Sequence, residues 1–198
     1  MNKTTTVLLC GVGGQGALLA ADILARCAMA CGDDVKLSEI HGMAQRGGAV
    51  TTVVRLGERV HSMRADKGEV DFLVSFETTE ALRNLDYVKR GGVLITNDES
   101  IKPLPVLTGK IEMPRAARKT LAAHGAKVVP AELLAKQAGS AKAVNIVLLG
   151  ALSVYLDYPE EVWLRVIEER VPPKFKEVNI KAFAMARAYV REHAEKEA

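Results

Sequence analysis

Two short glycine-rich stretches carry the residues best suited to chemistry. The first, Gly11-Val12-Gly13-Gly14-Gln15-Gly16, follows a run of apolar and threonine residues from Thr4 to Cys10 and precedes the nearly uncharged segment Ala17 to Ala30. Strand, glycine turn and helix in that order aim backbone N–H groups and a helix N-terminus at an anion such as a phosphate. The second, Gln45-Arg46-Gly47-Gly48, closes the stretch Ser38-Glu39-Ile40-His41-Gly42-Met43-Ala44. Arg46 offers a planar fork of donors matched to phosphate oxygens. Glu39 ends the second strand, where a dinucleotide-binding fold places the carboxylate that holds a ribose. His41 has a side chain that titrates near neutrality and can carry a proton, or it is a hydrogen-bonded loop residue. The expectation is one working edge, with Gly11, Gly13, Gly14, Gln15, Gly16, Glu39, Arg46, Gly47 and Gly48 as binding positions and His41 as the catalytic candidate.

The glycines alone leave several readings open. They can serve only a tight turn and close helix–strand packing. The plain motif reading is a dinucleotide-binding oxidoreductase or sensor. Against it, Gln15 takes the place of a small or apolar residue inside the turn, and nothing in the second half of the chain suggests a hydride-transfer site.

Positioning these loops requires an α/β framework: a Rossmann-like glycine loop and a mostly parallel mixed sheet, flanked by helices and followed by a helical C-terminal region. Strands are expected over Val35 to Ile40, Ala49 to Leu56, Val70 to Phe76, Val93 to Thr96 and Ala126 to Val129, where β-branched and apolar residues cluster. Gly57-Glu58 reads as a hairpin turn with Arg59 to Ser62 returning antiparallel, and Lys110 to Met113 as an outer strand. Gly91-Gly92 reads as the end of a connection, and Asn97 to Pro105 as a loop. Helices are expected over Glu77 to Tyr87, Arg115 to His124, Pro130 to Ala138, the all-apolar Ala143 to Leu156, a stretch opening at Asp157 and Pro159, and Asn179 to Glu192. No linker or repeat divides the chain, so residues 1–198 read as a single domain.

Composition narrows the classes. A formal net charge of +3 is too small to mark a nucleic-acid binder. Cys10, Cys27 and Cys31 are an odd count in apolar surroundings, which fits core thiols in a reducing cytoplasm and not a disulfide framework. No signal peptide is visible, and Ala143 to Leu156 is shorter than the roughly 20 residues a membrane helix needs. The expectation is a cytoplasmic protein without membrane or nucleic-acid contact. Between Pro114 and Lys142, Arg115, Arg118, Lys119, Lys127, Lys136 and Lys142 face a single acid, Glu132. That asymmetry is either a solvated basic face or a site for phosphates or an acidic partner.

Taken together, the two glycine motifs carry a family resemblance. Gly11 to Gly16 followed by Ser38 to Gly48 is similar to the gamma-type subunits of the 2-oxoacid:ferredoxin oxidoreductases, and the His-Gly-Met-Ala-Gln-Arg-Gly-Gly version resembles the indolepyruvate-type members. Glu80-Ala81-Leu82, Gly91-Gly92-Val93-Leu94-Ile95-Thr96-Asn97, and Asn145 with Leu148-Leu149-Gly150-Ala151-Leu152 extend the resemblance, which runs from residue 4 to about residue 190.

The resemblance implies a division of labour. Such enzymes use thiamine diphosphate with magnesium, [4Fe-4S] clusters and coenzyme A, and pass electrons to ferredoxin. Thiamine sites of this kind use Gly-Asp-Gly followed by an Asn; this chain has Gly32-Asp33-Asp34, and three cysteines cannot bind a four-thiolate cluster. Thiamine and clusters are therefore expected on a large alpha subunit, with this chain as the small subunit of an arylpyruvate-oxidising enzyme that is inactive alone. The glycine loops either hold the phosphates of coenzyme A or press against the partner as a ligand-free structural element.

Overall fold

The computed structural model describes residues 4–42, 48–102 and 104–197. Its first strand, β1 (Thr5–Val12), leads through the glycine turn into helix α1 (Ala17–Ala30). β2 (Asp34–His41), β3 (Ala49–Gly57) and β4 (Val70–Ser75) follow, then helix α2 (Thr78–Arg83) and β5 (Val88–Asn97). Short helices α3 (Leu104–Leu107) and α4 (Ala117–Ala123) precede β6 (Lys127–Val129). Four helices complete the chain: α5 (Ala131–Ala138), α6 (Val144–Ser153), α7 (Glu160–Arg170) and α8 (Lys176–Glu197).

The six strands form one mixed sheet in the order β2-β3-β1-β4-β5-β6. β1, β4, β5 and β6 are parallel, while β3 runs antiparallel to both β1 and β2. The α/β domain with a mostly parallel sheet is thus as expected, and β3 is the reversed strand among those described.

β1 is apolar along its length because both of its faces are covered. Val7 and Leu9 enter the larger core, packed with Ile23 and Leu24 of α1, Ile146 and Leu149 of α6, Trp163 of α7 and Phe183 of α8. Leu8 and Cys10 point the other way, into a smaller core with Leu73, Ala81, Leu94 and Leu121. α6 has no polar face, and every residue from Asn145 to Ser153 is buried.

Several local expectations are corrected. Arg59 to Ser62 is not a strand, because both edges of β3 are already paired. The segment instead folds back on the end of β2–β3: the Val60 N–H donates to Asp34 Oδ2 at 2.8 Å and Arg55 Nη1 donates to the Arg64 carbonyl at 2.6 Å. Gly91-Gly92 does not end a connection but lies inside β5. There β5 carries three more residues than β4 between the pairs Val70↔Val88 and Phe72↔Val93, a bulge that Gly91 accommodates with φ 77°. Lys110 to Met113 is not a strand; Lys110, Ile111 and Glu112 are exposed and have no face to bury. Leu104–Leu107 is a short helix inside the expected loop. Glu77 to Tyr87 is not one helix: Glu77 caps α2 from outside, and Leu85–Tyr87 is a separate 3-10 turn. α8 begins earlier than Asn179 because the 3-10 turn Pro173–Phe175 runs straight into it. Finally, Cys10 and Cys27 are core thiols, but Cys31 lies just past α1 and is exposed.

Candidate functional site

The glycine turn is held by side-chain and backbone hydrogen bonds together. Gln15 fills it: its Oε1 accepts the Val12 N–H at 2.7 Å and its Nε2 donates to the Phe76 carbonyl at 3.4 Å. A side chain on Gly11 would collide with Gln15 Oε1 at 2.6 Å and with Phe76 Cβ at 2.8 Å. The departure from a small residue at position 15 is therefore structural, since the amide ties the turn to the end of β4. Gly16 caps α1 with φ 83°, and a Cβ there would meet Asn145 Nδ2 at 2.8 Å. Asn145, buried at the start of α6, donates from Nδ2 to the Gly16 carbonyl at 3.4 Å. Gly14 takes φ 102° with open space on its outer side.

The second loop does come to the first. The Gly13 N–H donates to the Gly48 carbonyl at 2.8 Å. Arg46 and Gly47 lie outside the described residues. Two donors of the turn are consequently occupied, that of Gly13 by Gly48 and that of Gln15 by the Val12 carbonyl. What remains for an anion is the Gly14 N–H together with the first turn of α1, whose N–H groups have no intrahelical acceptor.

A groove of about 450 Å³ opens on the α1 side of the turn, lined by Gly13, Gly14, Gly16, Leu18, Glu39 and His41 among others. Glu39 and His41 reach it because alternate residues of β2 share a face: Val35 and Leu37 pack on the core, and Glu39 and His41 continue the same row beyond it. Glu39 is half-buried and His41 exposed. With Nδ1 donating to the Gly42 carbonyl at 3.2 Å, His41 keeps Nε2 as an acceptor. β3 lies between β2 and β1, so Glu39 is about two strand spacings, roughly 10 Å, from β1. A Rossmann ribose-binding acid sits on the neighbouring strand, so this placement removes the main support for a dinucleotide.

On the opposite side of the turn lies a second cavity of about 190 Å³, bordered by Val12, Glu77, Thr79, Glu80, Arg83 and Ile101. Glu77 is 2% exposed and fully used as the cap of α2. Its carboxylate accepts N–H groups from Thr79 at 3.0 Å, from Glu80 in a short bond, and from Ile101 at 3.4 Å. Glu80 is 6% exposed; Oε1 lies 3.3 Å from Arg83 Nε and Oε2 is buried without a partner among the described residues. Burial pushes the Glu80 carboxyl above its usual value and Glu77 adds to this, against the opposing pull of Arg83. Glu99 is raised as well, by burial first and then by Glu132. Asn97 joins the strand ends, donating to the Phe76 carbonyl at 3.2 Å and accepting the Ala131 N–H at 3.1 Å.

Sequence reasoning passed over Glu77 and Asn97. Its signal was the spacing Glu77-Thr78-Thr79-Glu80 after an apolar run, which is that of a cap and the third residue of a helix. The basic stretch also changes character on folding. Arg118 pairs with Asp98 at 2.6 Å and Arg115 with Glu112 at 2.6 Å, so acids from outside the 114–142 window answer part of it, while Lys136 pairs at 3.7 Å with Glu132 inside it. Among the described residues, no group of three or more His, Cys, Asp or Glu is arranged to hold a metal ion, and no helix is long and apolar enough to cross a membrane.

Comparison with known proteins gives a consistent result. The family described as pyruvate ferredoxin/flavodoxin oxidoreductase matches residues 6–189. The indolepyruvate oxidoreductase subunit IorB of Thermococcus kodakarensis is 40% identical over 190 residues, spanning 92% of this chain and 94% of that one. Among solved structures, the gamma subunit of a keto/oxoacid ferredoxin oxidoreductase from Geobacter sulfurreducens superposes with a TM-score of 0.71 at 25% identity, covering 95% of this chain and 99% of the other. The 2-oxoglutarate:ferredoxin oxidoreductase of Magnetococcus marinus, solved with 2-oxoglutarate, coenzyme A and succinyl-CoA bound, shares the fold with a TM-score of 0.70 at 21% identity. There the match covers 97% of this chain but 32% of the longer one.

Proposed function

Because the chain belongs to the pyruvate ferredoxin/flavodoxin oxidoreductase family, we propose that it is the small subunit of an arylpyruvate:ferredoxin oxidoreductase and that its α1-side groove takes part of coenzyme A. The observation that carries the reading is the 40% identity, over nearly the whole of both chains, to a subunit of an indolepyruvate oxidoreductase. In the reaction, an arylpyruvate and coenzyme A give the aryl-acetyl-CoA, carbon dioxide and one proton, and two electrons pass to ferredoxin.

In this reading the thiamine diphosphate, its magnesium and the [4Fe-4S] clusters belong to the large alpha subunit. The residues of this chain do not fit them. Cys10 and Cys27 are buried in separate cores with thiols pushed up to about 12 by desolvation, and Cys31 is exposed at a helix end. Asp33 is engaged by the Tyr158 hydroxyl in a short hydrogen bond at the start of β2, away from the glycine turn. The chain's own contribution is a binding surface. The first turn of α1 faces phosphate oxygens with its unpaired N–H groups and partial positive charge. In this reading Arg46 supplies the cation, which the groove needs because Glu39 is the acid that lines it. His41 Nε2 is the candidate proton acceptor of this edge.

The test is Arg46→Ala in the assembled enzyme. Loss of one charge-assisted contact costs roughly 1.5–3 kcal/mol, so the Michaelis constant for coenzyme A is expected to rise roughly ten- to a hundredfold with assembly unchanged. A steady-state titration beside size-exclusion chromatography measures both. An unchanged constant in an intact complex removes Arg46 from coenzyme A binding; a complex that falls apart makes the loop an interface.

A further inference from the structure

The coenzyme A reading leaves the basic stretch of the chain without a role. Between Asp98 and Lys142, eight lysines and arginines meet four acids, a surplus of four positive charges where the whole chain carries +3. This stretch wraps the β6 end of the sheet. β6 is a terminal strand, so its outer backbone edge has no partner among the described strands. Val129 enters the larger core, and alternation puts Val128 on the opposite face, with α4. α4 packs beside α2 and reaches the smaller core through Leu121, which leaves Val128 40% exposed. The connection before α4 exposes two more aliphatic side chains, Leu107 at 66% and Ile111 at 55%. They belong to the same corner. The Asp98 N–H donates to the Val129 carbonyl at 3.2 Å, and the Asp98 carboxylate accepts from Arg118 of α4 at 2.6 Å. The stretch from Asp98 to α4 is thus pinned at both ends beside β6. On it Lys110 and Lys119 are exposed and pair with no acid among the described residues.

We propose that this corner, with Leu107, Ile111 and Val128 at its centre, is a docking surface for the large subunit, which meets it with an apolar patch rimmed by carboxylates. The inference rests on the subunit reading given above. Exposed aliphatic side chains bordered by charge are the composition of a protein–protein contact, apolar at the centre and polar at the rim. The open edge of β6 is a further feature that proteins ordinarily cover. Charge chooses the partner, since unpaired lysines attract an acidic surface and repel a basic one. A ferredoxin is a poorer occupant. In the subunit reading this chain holds no cluster, so an electron carrier docked here finds no electrons to take. A free phosphate compound fits less well still, because it leaves the three aliphatic side chains in water.

The experiment measures the dissociation constant between this chain and the co-expressed large subunit, at low and high salt, for wild type and two double variants. Leu107→Ser with Ile111→Ser is expected to weaken the complex at least about tenfold at both salt concentrations. Lys110→Glu with Lys119→Glu is expected to weaken it roughly tenfold or more at low salt. That loss shrinks at about 0.5 M salt, where charges more than a few ångströms apart are screened. All four side chains are exposed, so the isolated variants are expected to melt with the wild type, which separates lost docking from lost folding. An affinity unchanged by the serine pair overturns the proposal. So does a complex that the glutamate pair tightens or leaves as it was. Intact assembly with a raised Michaelis constant for ferredoxin assigns the corner to the electron carrier and overturns it too. Should the serine pair fail to fold, the glutamate pair decides alone: salt-sensitive weakening supports the surface and its absence overturns it. Failure of the wild-type chains to associate is a different result, for it removes the subunit reading itself and this inference with it.

Discussion

The two recesses beside the glycine turn share Val12 as a wall and differ in almost everything else. The α1-side groove is wide, bordered by glycines, and its side chains Glu39 and His41 are half-buried or exposed at the end of an edge strand. The α2-side cavity is small and both its carboxylates are buried; that of Glu77 is wired to backbone N–H groups and that of Glu80 pairs with Arg83. In the groove, position is set by main chain and the side chains are free to change partner. In the cavity, the side chains are themselves part of the framework. Removing a groove side chain should therefore affect ligands, and removing a cavity side chain should affect folding.

The strongest way to break this contrast is Glu77→Ala beside Glu39→Ala. Glu77→Ala removes a helix cap and strands three N–H groups, one of them from Ile101 outside the helix. It is expected to cost roughly 2–4 kcal/mol in urea unfolding. Glu39→Ala should stay within about 0.5 kcal/mol. Similar losses for the two variants would erase the distinction.

A substitution in the groove's backbone sharpens it. Gly16→Ala forces a Cβ into a left-handed residue and against Asn145 Nδ2. A loss of roughly 1–3 kcal/mol is expected. In a double-mutant cycle, Asn145→Ala should recover the steric part and leave the backbone part. Full additivity of the two variants would show that the contact with Asn145 carries no energy.

The smallest expected effect is in the pH dependence. Glu80 and Glu99 are both raised in the folded state, so between the ordinary carboxylate value and the raised one the native chain binds more protons than the unfolded chain. Stability from these groups is therefore present at low pH and declines as pH rises through that window. Burial is the main cause of both shifts; Arg83 opposes that of Glu80, while Glu77 adds to both and Glu132 to that of Glu99. Denaturation midpoints of the isolated chain against pH should show this decline, and Glu80→Gln should flatten it. A slope of opposite sign that Glu80→Gln leaves in place would contradict the account.

The sequence made β1, the glycine turn and α1 legible because each is coded locally: an apolar run, glycines at positive φ, and a nearly uncharged helix. α6 was legible for the same reason. What could not be read locally was pairing. Arg59 to Ser62 followed a turn signal, but whether a strand forms depends on a free edge, and β1 and β2 had taken both edges of β3. Glu39 seemed one strand from the turn because it is one strand along the chain; the insertion of β3 placed it two away. The same reversal brings the end of β2 and the start of β3 to the C-terminal end of β1, which is why His41 and Gly48 reach the turn. The bonds from Gln15 to Phe76 and from Ile101 to Glu77 were opaque because they join residues distant in sequence.

The bond from the Gly13 N–H to the Gly48 carbonyl has a thermodynamic consequence. It is a direct physical link between the turn that borders the groove and the loop that ends at β3. If a ligand in the groove strengthens or breaks it, a partner that engages the loop feels the change, and by reciprocity the partner alters the ligand's affinity by the same factor. A single backbone hydrogen bond is worth about 0.5–1.5 kcal/mol net. Cooperativity carried by this bond alone is therefore bounded at roughly two- to twelvefold, and any larger coupling between assembly and ligand binding needs further contacts.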